Sequence, residues 1–111
     1  MALHHHIIGN NTYLLKISQP LSGARAGEVE RKLAQLIRHG AKRVVVNLED
    51  VAFIDGRGLA ALAAGLKLLG NHADRLPLVA PQVQPSLVFE LTGYDRIFYI
   101  TTLAEASPLA V

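Results

Sequence analysis

Residues 43–62 read RVVVNLEDVAFIDGRGLAAL, and the fold turns on how that stretch divides. Its opening, Arg43 to Leu48, is a short run dominated by β-branched and apolar residues, without polar alternation. An alternating strand keeps one face wet, whereas an unbroken apolar run has both faces covered, as in a parallel sheet under helices. Beyond Val51–Ile54 comes Asp55-Gly56-Arg57-Gly58, and then Leu59, Leu62, Ala63, Leu66 and Leu69 recur at helical spacing as far as Gly70. An aspartate placed directly before such a face is suited to cap it, because a carboxylate accepts from first-turn amides that have no partner of their own.

Upstream, Ala26, Val29, Leu33, Leu36 and Ile37 share one helical face, with Glu28, Glu30, Arg31, Lys32 and Arg38 on the other. That spacing predicts a helix over 23–39, stopped by Gly40. The β-prone run 12–17 is preceded by Asn10-Asn11, a turn signal that makes 4–8 an antiparallel first strand. Gln19 to Gly23 breaks the pattern before the helix. Downstream, 76–80 reads as a strand with Pro77 at its start, at an edge or at a bulge. Residues 83–92 read as a helix with Pro85 in its first turn and Gly93 past its end, 97–100 as the last strand, and 103–106 as a short terminal helix. The order predicts an α/β fold, a mixed four- or five-stranded sheet packed with helices, in a single domain over residues 1–111. Its core is expected to include Leu33, Val45, Leu62, Leu66 and Leu87.

Composition narrows the function classes. Half of the 111 residues are apolar, there is no cysteine, and the net charge is +2. A disulfide framework, a thiolate metal site and a cysteine nucleophile are thereby excluded. No basic run exceeds two residues, as at Lys42-Arg43, which gives no nucleic-acid footprint. No apolar stretch approaches the roughly 20 residues of a membrane span, and the start of the chain lacks the pattern of a signal peptide. A cytoplasmic protein without direct membrane insertion is expected. No nucleophile elbow and no register of paired carboxylates appears (Asp50 and Asp55 flank a joint), so no catalytic residue is assigned.

Two segments, 44–62 and 78–98, together resemble the STAS domain family, in particular its anti-sigma factor antagonists; the similarity covers about 12–106. The first is similar to the family's strand, acidic turn, apolar pair and motif aspartate, followed by serine, a hydroxylated residue, glycine and a helix. The second, LVAP at 78–81 and LVFELTGYDRIF at 87–98, is similar to the family's strand, proline, and helix ending in Thr-Gly. The resemblance implies a protein partner, either an anti-sigma factor kinase or another STAS or transport-complex subunit, docking at the strand-to-helix joint. It also implies a switch, in which phosphorylation just after the motif aspartate breaks docking by placing charge at the interface. Here that position is Gly56, which has no hydroxyl, and the next is Arg57; Ser22 stands where many relatives carry an aspartate. The expected partner-binding residues are Ser22, Asp55, Gly56, Arg57, Gly58 and Leu59, with no phosphoacceptor at Gly56 and no cofactor.

Other readings of the same residues remain. Asp55 to Gly58 serves as a helix start whatever the function, the glycines permitting positive φ or close packing. The run from Gly56 to Ala61 also fits the loose pattern G-x-G-x-x-A, with Asp74 downstream, which keeps a nucleotide or small-anion module as an alternative. Yet the chain is short for a dinucleotide fold. His4 and His6 fall on one face of a strand, but without a neighbouring carboxylate or thiolate they read as a solvated terminus, strand residues or a tag remnant rather than a metal site. His39 and His72 lie near helix ends.

Overall fold

The computed structural model describes residues 3–106. Strands β1 (Leu3–Gly9) and β2 (Thr12–Ile17) form an antiparallel hairpin, and helix α1 (Gly23–Arg38) crosses from it to β3 (Arg43–Asn47). Helix α2 (Gly56–Leu68) leads to β4 (Leu78–Val79), α3 (Val83–Thr92) to β5 (Ile100–Thr101), and α4 (Leu103–Ala106) closes the described chain. The sheet runs β1-β2-β3-β4-β5, with β2 through β5 parallel. Each parallel strand is laid beside the previous one in a constant direction. Crossovers of one hand therefore carry α1, α2 and α3 onto the same face.

The burial pattern records this asymmetry. On the three-helix face Leu15, Val44, Val46 and Leu78 pack with Leu33 of α1, Leu62 and Leu66 of α2, and Phe89 of α3. On the opposite face a smaller cluster joins Val45 and Val79 to Ala106, with Ile8, Leu14 and Leu103 beside it. The unbroken valines of β3 are thus buried on both sides, one side under helices and the other under the short α4.

Three expectations are corrected. The strand expected over 76–80 contracts to Leu78–Val79, although Leu76 is buried and Pro77, just before the strand, accepts the Val46 amide through its carbonyl. The strand expected over 97–100 becomes Ile100–Thr101, because Tyr94–Arg96 forms a 3-10 turn and Ile97 follows it exposed. Leu87 is half exposed instead of buried, since α3 turns Phe89 and Pro85 inward. The helices otherwise lie close to where their spacing put them, stopped by Gly40, Gly70 and Gly93 at positive φ.

Two glycines let the layers approach. A Cβ on Gly65 would come within 2.8 Å of the Leu33 side chain across the α1–α2 contact. One on Gly58 would lie 2.1 Å from the Leu21 carbonyl oxygen, a backbone atom that cannot rotate aside. Gly58→Ala is expected to destabilise the chain by about 1–3 kcal/mol through forced separation of the two segments, read as a lowered denaturant midpoint. Leu62, wholly buried between α2 and the sheet, is expected to cost about 2–5 kcal/mol on replacement by alanine, from lost transfer energy and the residual cavity. An unchanged midpoint for Leu62→Ala would mean that α2 does not pack as described.

Candidate functional site

The joint between β3 and α2 lacks regular structure but is held from several sides. Asn47, the one buried polar residue among the described residues, accepts the Glu49 amide at 3.0 Å and so tightens the turn after β3. Lys16 of β2 reaches Glu49 and Asp50 at 3.5 and 3.4 Å. Farther on, Leu21 lies beside Ile54 as an isolated parallel bridge. The Leu21 amide donates to the Phe53 carbonyl at 2.9 Å, and the Asp55 amide donates to the Leu21 carbonyl at 3.4 Å. On the other flank the Gln84 side chain imitates a neighbouring strand. Its Oε1 accepts the Ile54 amide at 2.9 Å while its Nε2 donates to the Ile54 carbonyl at 3.1 Å. Gln82 Nε2 donates to the Glu49 carbonyl at 2.6 Å.

This clamp aims Asp55. Its Oδ1 accepts the Gly58 amide at 2.9 Å, capping α2, and its Oδ2 accepts the Gly23 amide at 3.1 Å, at the start of α1. One carboxylate therefore ties together two helix N-termini. Ser22 occupies the capping position of α1, yet its hydroxyl makes no cap bond. The Gly58 amide, chiefly, holds the Asp55 carboxyl below its ordinary pKa; partial desolvation opposes this, and Gly23 and Arg57 reinforce it. Negative charge at helix starts is also favoured by the peptide dipoles.

The structure brings the Ser22 loop and the segment from Asp55 to Leu59 together, but these residues are not equally accessible. Gly56 and Arg57 are exposed, Asp55 and Ser22 partly so, while Gly58 and Leu59 are buried under the Leu21 segment and in the core. The two glycines differ in their demands. Gly58 is required by the close approach to Leu21; Gly56 has ordinary backbone geometry, and a Cβ there would meet nothing within 4 Å. A shallow groove of 460 Å³ opens between the first turns of α1 and α2, with Arg57 on its rim and Gly23, Ala24, Gly27 and Ala60 on its walls. For a nucleotide cradle the arrangement is poor, because Asp55 already takes the Gly58 amide and places negative charge where a phosphate would sit.

Sequence reasoning missed Gln82, Gln84 and the half-exposed Phe53. A glutamine in a helical first turn carries no sign that it will bond a backbone thirty residues away. His4 and His6 stand exposed on β1, opposite Lys16 and Leu14. Among the described residues no group of three His, Cys, Asp or Glu side chains is placed to hold a metal ion, and no helix is long and apolar enough to cross a membrane.

Comparison with known proteins agrees with this geometry. The chain is 26% identical over 88 residues to the anti-sigma-B factor antagonist of Staphylococcus aureus, covering 79% of this chain and 82% of that protein. An anti-sigma factor antagonist from Mycobacterium paratuberculosis superposes with a TM-score of 0.81 at 23% identity, over 94% of this chain and 88% of that one. The anti-sigma factor antagonist SpoIIAA in its unphosphorylated form superposes with a TM-score of 0.79 at 22% identity, over 95% and 92% of the two chains. SpoIIAA of Bacillus in its phosphorylated form gives 0.74 at 21% identity, over 99% and 100%. The family model for the STAS domain matches residues 6–107. With the mixed sheet, the three helices on one face and the aspartate-capped joint in place, the chain belongs to the STAS domain family.

Proposed function

We propose that this chain is a non-catalytic docking protein of the anti-sigma factor antagonist kind, working in the cytoplasm. Its partner-facing surface is the joint formed by Ser22, Asp55, Gly56 and Arg57. The observation that carries the reading is the environment of Gly56: exposed, unstrained and open, one residue past an aspartate that locks two helix starts together. That is the position where the family resemblance expects a phosphorylatable hydroxyl, and SpoIIAA, a structural neighbour, is known in phosphorylated and unphosphorylated forms. With no hydroxyl at 56, the joint keeps one charge state, and docking is regulated by the supply of partner instead of by modification at this residue.

The partner class follows from capture and identification. An anti-sigma factor kinase supports the antagonist role; a transporter subunit or another STAS protein assigns the chain to a scaffold of the same docking type. For whichever partner is captured, Gly56→Asp is expected to weaken binding by about 2 kcal/mol or more, because the new carboxylate must be desolvated without a partner. If Arg57 reaches an acidic group, Arg57→Ala weakens binding and the difference shrinks as salt is raised. Affinities unchanged by both substitutions in a calorimetric titration would move the interface elsewhere. Incubated with an anti-sigma factor kinase and ATP, the parent is expected to gain no phosphate between Asp55 and Leu59 by mass spectrometry. Gly56→Ser, which the open space accommodates, is expected to gain one.

The joint should also carry an acid sensitivity. Since the folded-state pKa of Asp55 is lowered, its contribution to stability is complete above the unfolded-state value. It drains away as pH falls from there through the lower folded-state value. The parent is therefore expected to be more stable than Asp55→Asn at neutral pH, with the gap in denaturant midpoint closing below about pH 4. A gap that stays constant through that acid range would remove the charge from the account of the joint.

A further inference from the structure

The exposed edge of the sheet lies beside a row of cations that have no ion-pair partner among the described residues. The edge strand β1 is seven residues long, about 23 Å at the usual rise of about 3.3 Å per residue. Among the described strands it pairs only with β2, so one of its sides presents amides and carbonyls without a ladder partner. Free edges are commonly blunted by brevity, proline or charge. This strand has none of these among its non-histidine residues; it has one irregularity, between Ile7 and Gly9, and Ile7 is 69% exposed.

Alongside, the outer face of α1 and β1 enclose a groove of 610 Å³, where Leu3 meets Arg31, Lys32 and Arg38, with Glu28 the only acid in its walls. A second hollow of 210 Å³ sets His5 against Lys32 and His39. The ion pairs among the described residues are both made by Lys16, with Glu49 and Asp50, so Arg31, Lys32 and Arg38 have no carboxylate partner there. Partial desolvation, and next the charge of Lys32, depress the His5 pKa, in keeping with a positive local field.

We propose that the β1 edge and the cationic stripe of α1 together receive an extended acidic segment of a protein partner, added to the sheet as a sixth strand. The backbone edge calls for a strand, since only another main chain matches its alternating donors and acceptors. The charge calls for acid. A second copy of this chain, paired edge to edge, would bring its own histidines and cationic helix against the same features, and like charges across paired strands are unfavourable. The spacing sets the pattern: Arg31 and Arg38 lie about 10 Å apart along the helix axis at about 1.5 Å per residue. Acidic residues at alternate strand positions recur about 7 Å apart on one face, so three in succession, covering about 13 Å, would span that interval. This surface does not involve Asp55 or Gly56; Arg31 also lines the groove beside Arg57, so the variant tested below leaves Arg31 in place.

The test uses the whole chain and a fluorescein-labelled ten-residue peptide of alternating glutamate and valine, titrated by anisotropy at low salt. A peptide of the same composition with its glutamates clustered serves as control. Binding is expected to be stronger for the alternating peptide and to slow hydrogen exchange at amides within β1. It should fall by about tenfold or more in Lys32→Glu/Arg38→Glu, whose fold is checked by circular dichroism. Gly56→Asp is expected to leave this binding unchanged, so failure here is distinguishable from failure at the joint. The proposal is overturned by absence of binding, by equal binding of both peptides without protection of β1, or by equally tight binding to phosphatidylglycerol vesicles. It is likewise overturned by concentration-dependent self-association that protects the same β1 amides.

Discussion

The Asp55 carboxylate is shared between two helix starts, and much of the molecule is arranged so that it can be. Its oxygens take amides from Gly58 and Gly23, which begin helices separated in sequence by a whole strand. For both bonds to form, the Leu21 segment must lie directly on α2, and this is possible only because residue 58 has no side chain. The α1–α2 packing, with Leu33 against Gly65, continues the same close approach farther along the helices. Cap, glycine and interhelical contact therefore form one constraint. Loosening any of them separates the segments that frame the joint.

That constraint also places the proposed docking joint at the ends of helices. Three successive crossovers of one hand place α1, α2 and α3 on one face, and their packed sides are consumed by the core. What remains near the joint is the exposed first turn of α2, where Gly56 and Arg57 project beside the Ser22 loop. The family match and the similarity to an anti-sigma-B factor antagonist agree with the regulatory role proposed for this chain.

Much of this frame was legible in the sequence because it follows from local rules. The valines of β3, the apolar faces of α1 and α2, and the glycines at 40, 70 and 93 each speak for their own neighbourhood. Asp55 as a cap was readable; its second bond to Gly23 was not, because nothing near Asp55 announces the approach of a distant segment. Leu87 and Ile97 were misplaced for a related reason. Both are apolar residues in apolar company, and the choice of Phe89 and Phe98 for the interior depends on the turn at Tyr94–Arg96. The Gln84 clamp was the least visible, since a side chain that takes the place of a strand leaves no periodicity.

That clamp has a thermodynamic consequence. Loops at binding surfaces commonly retain conformational freedom, and losing it on association subtracts from affinity. Between Leu48 and Asp55 the chain has no helix or paired strand of its own beyond the single bridge at Ile54. Even so, the Ile54 backbone is bonded by Gln84 on one side, while Leu21 bonds Phe53 and Asp55 on the other. The entropy of ordering that segment is lost when the chain folds, so a partner docking at the joint as proposed would meet a surface already ordered, with little further ordering cost.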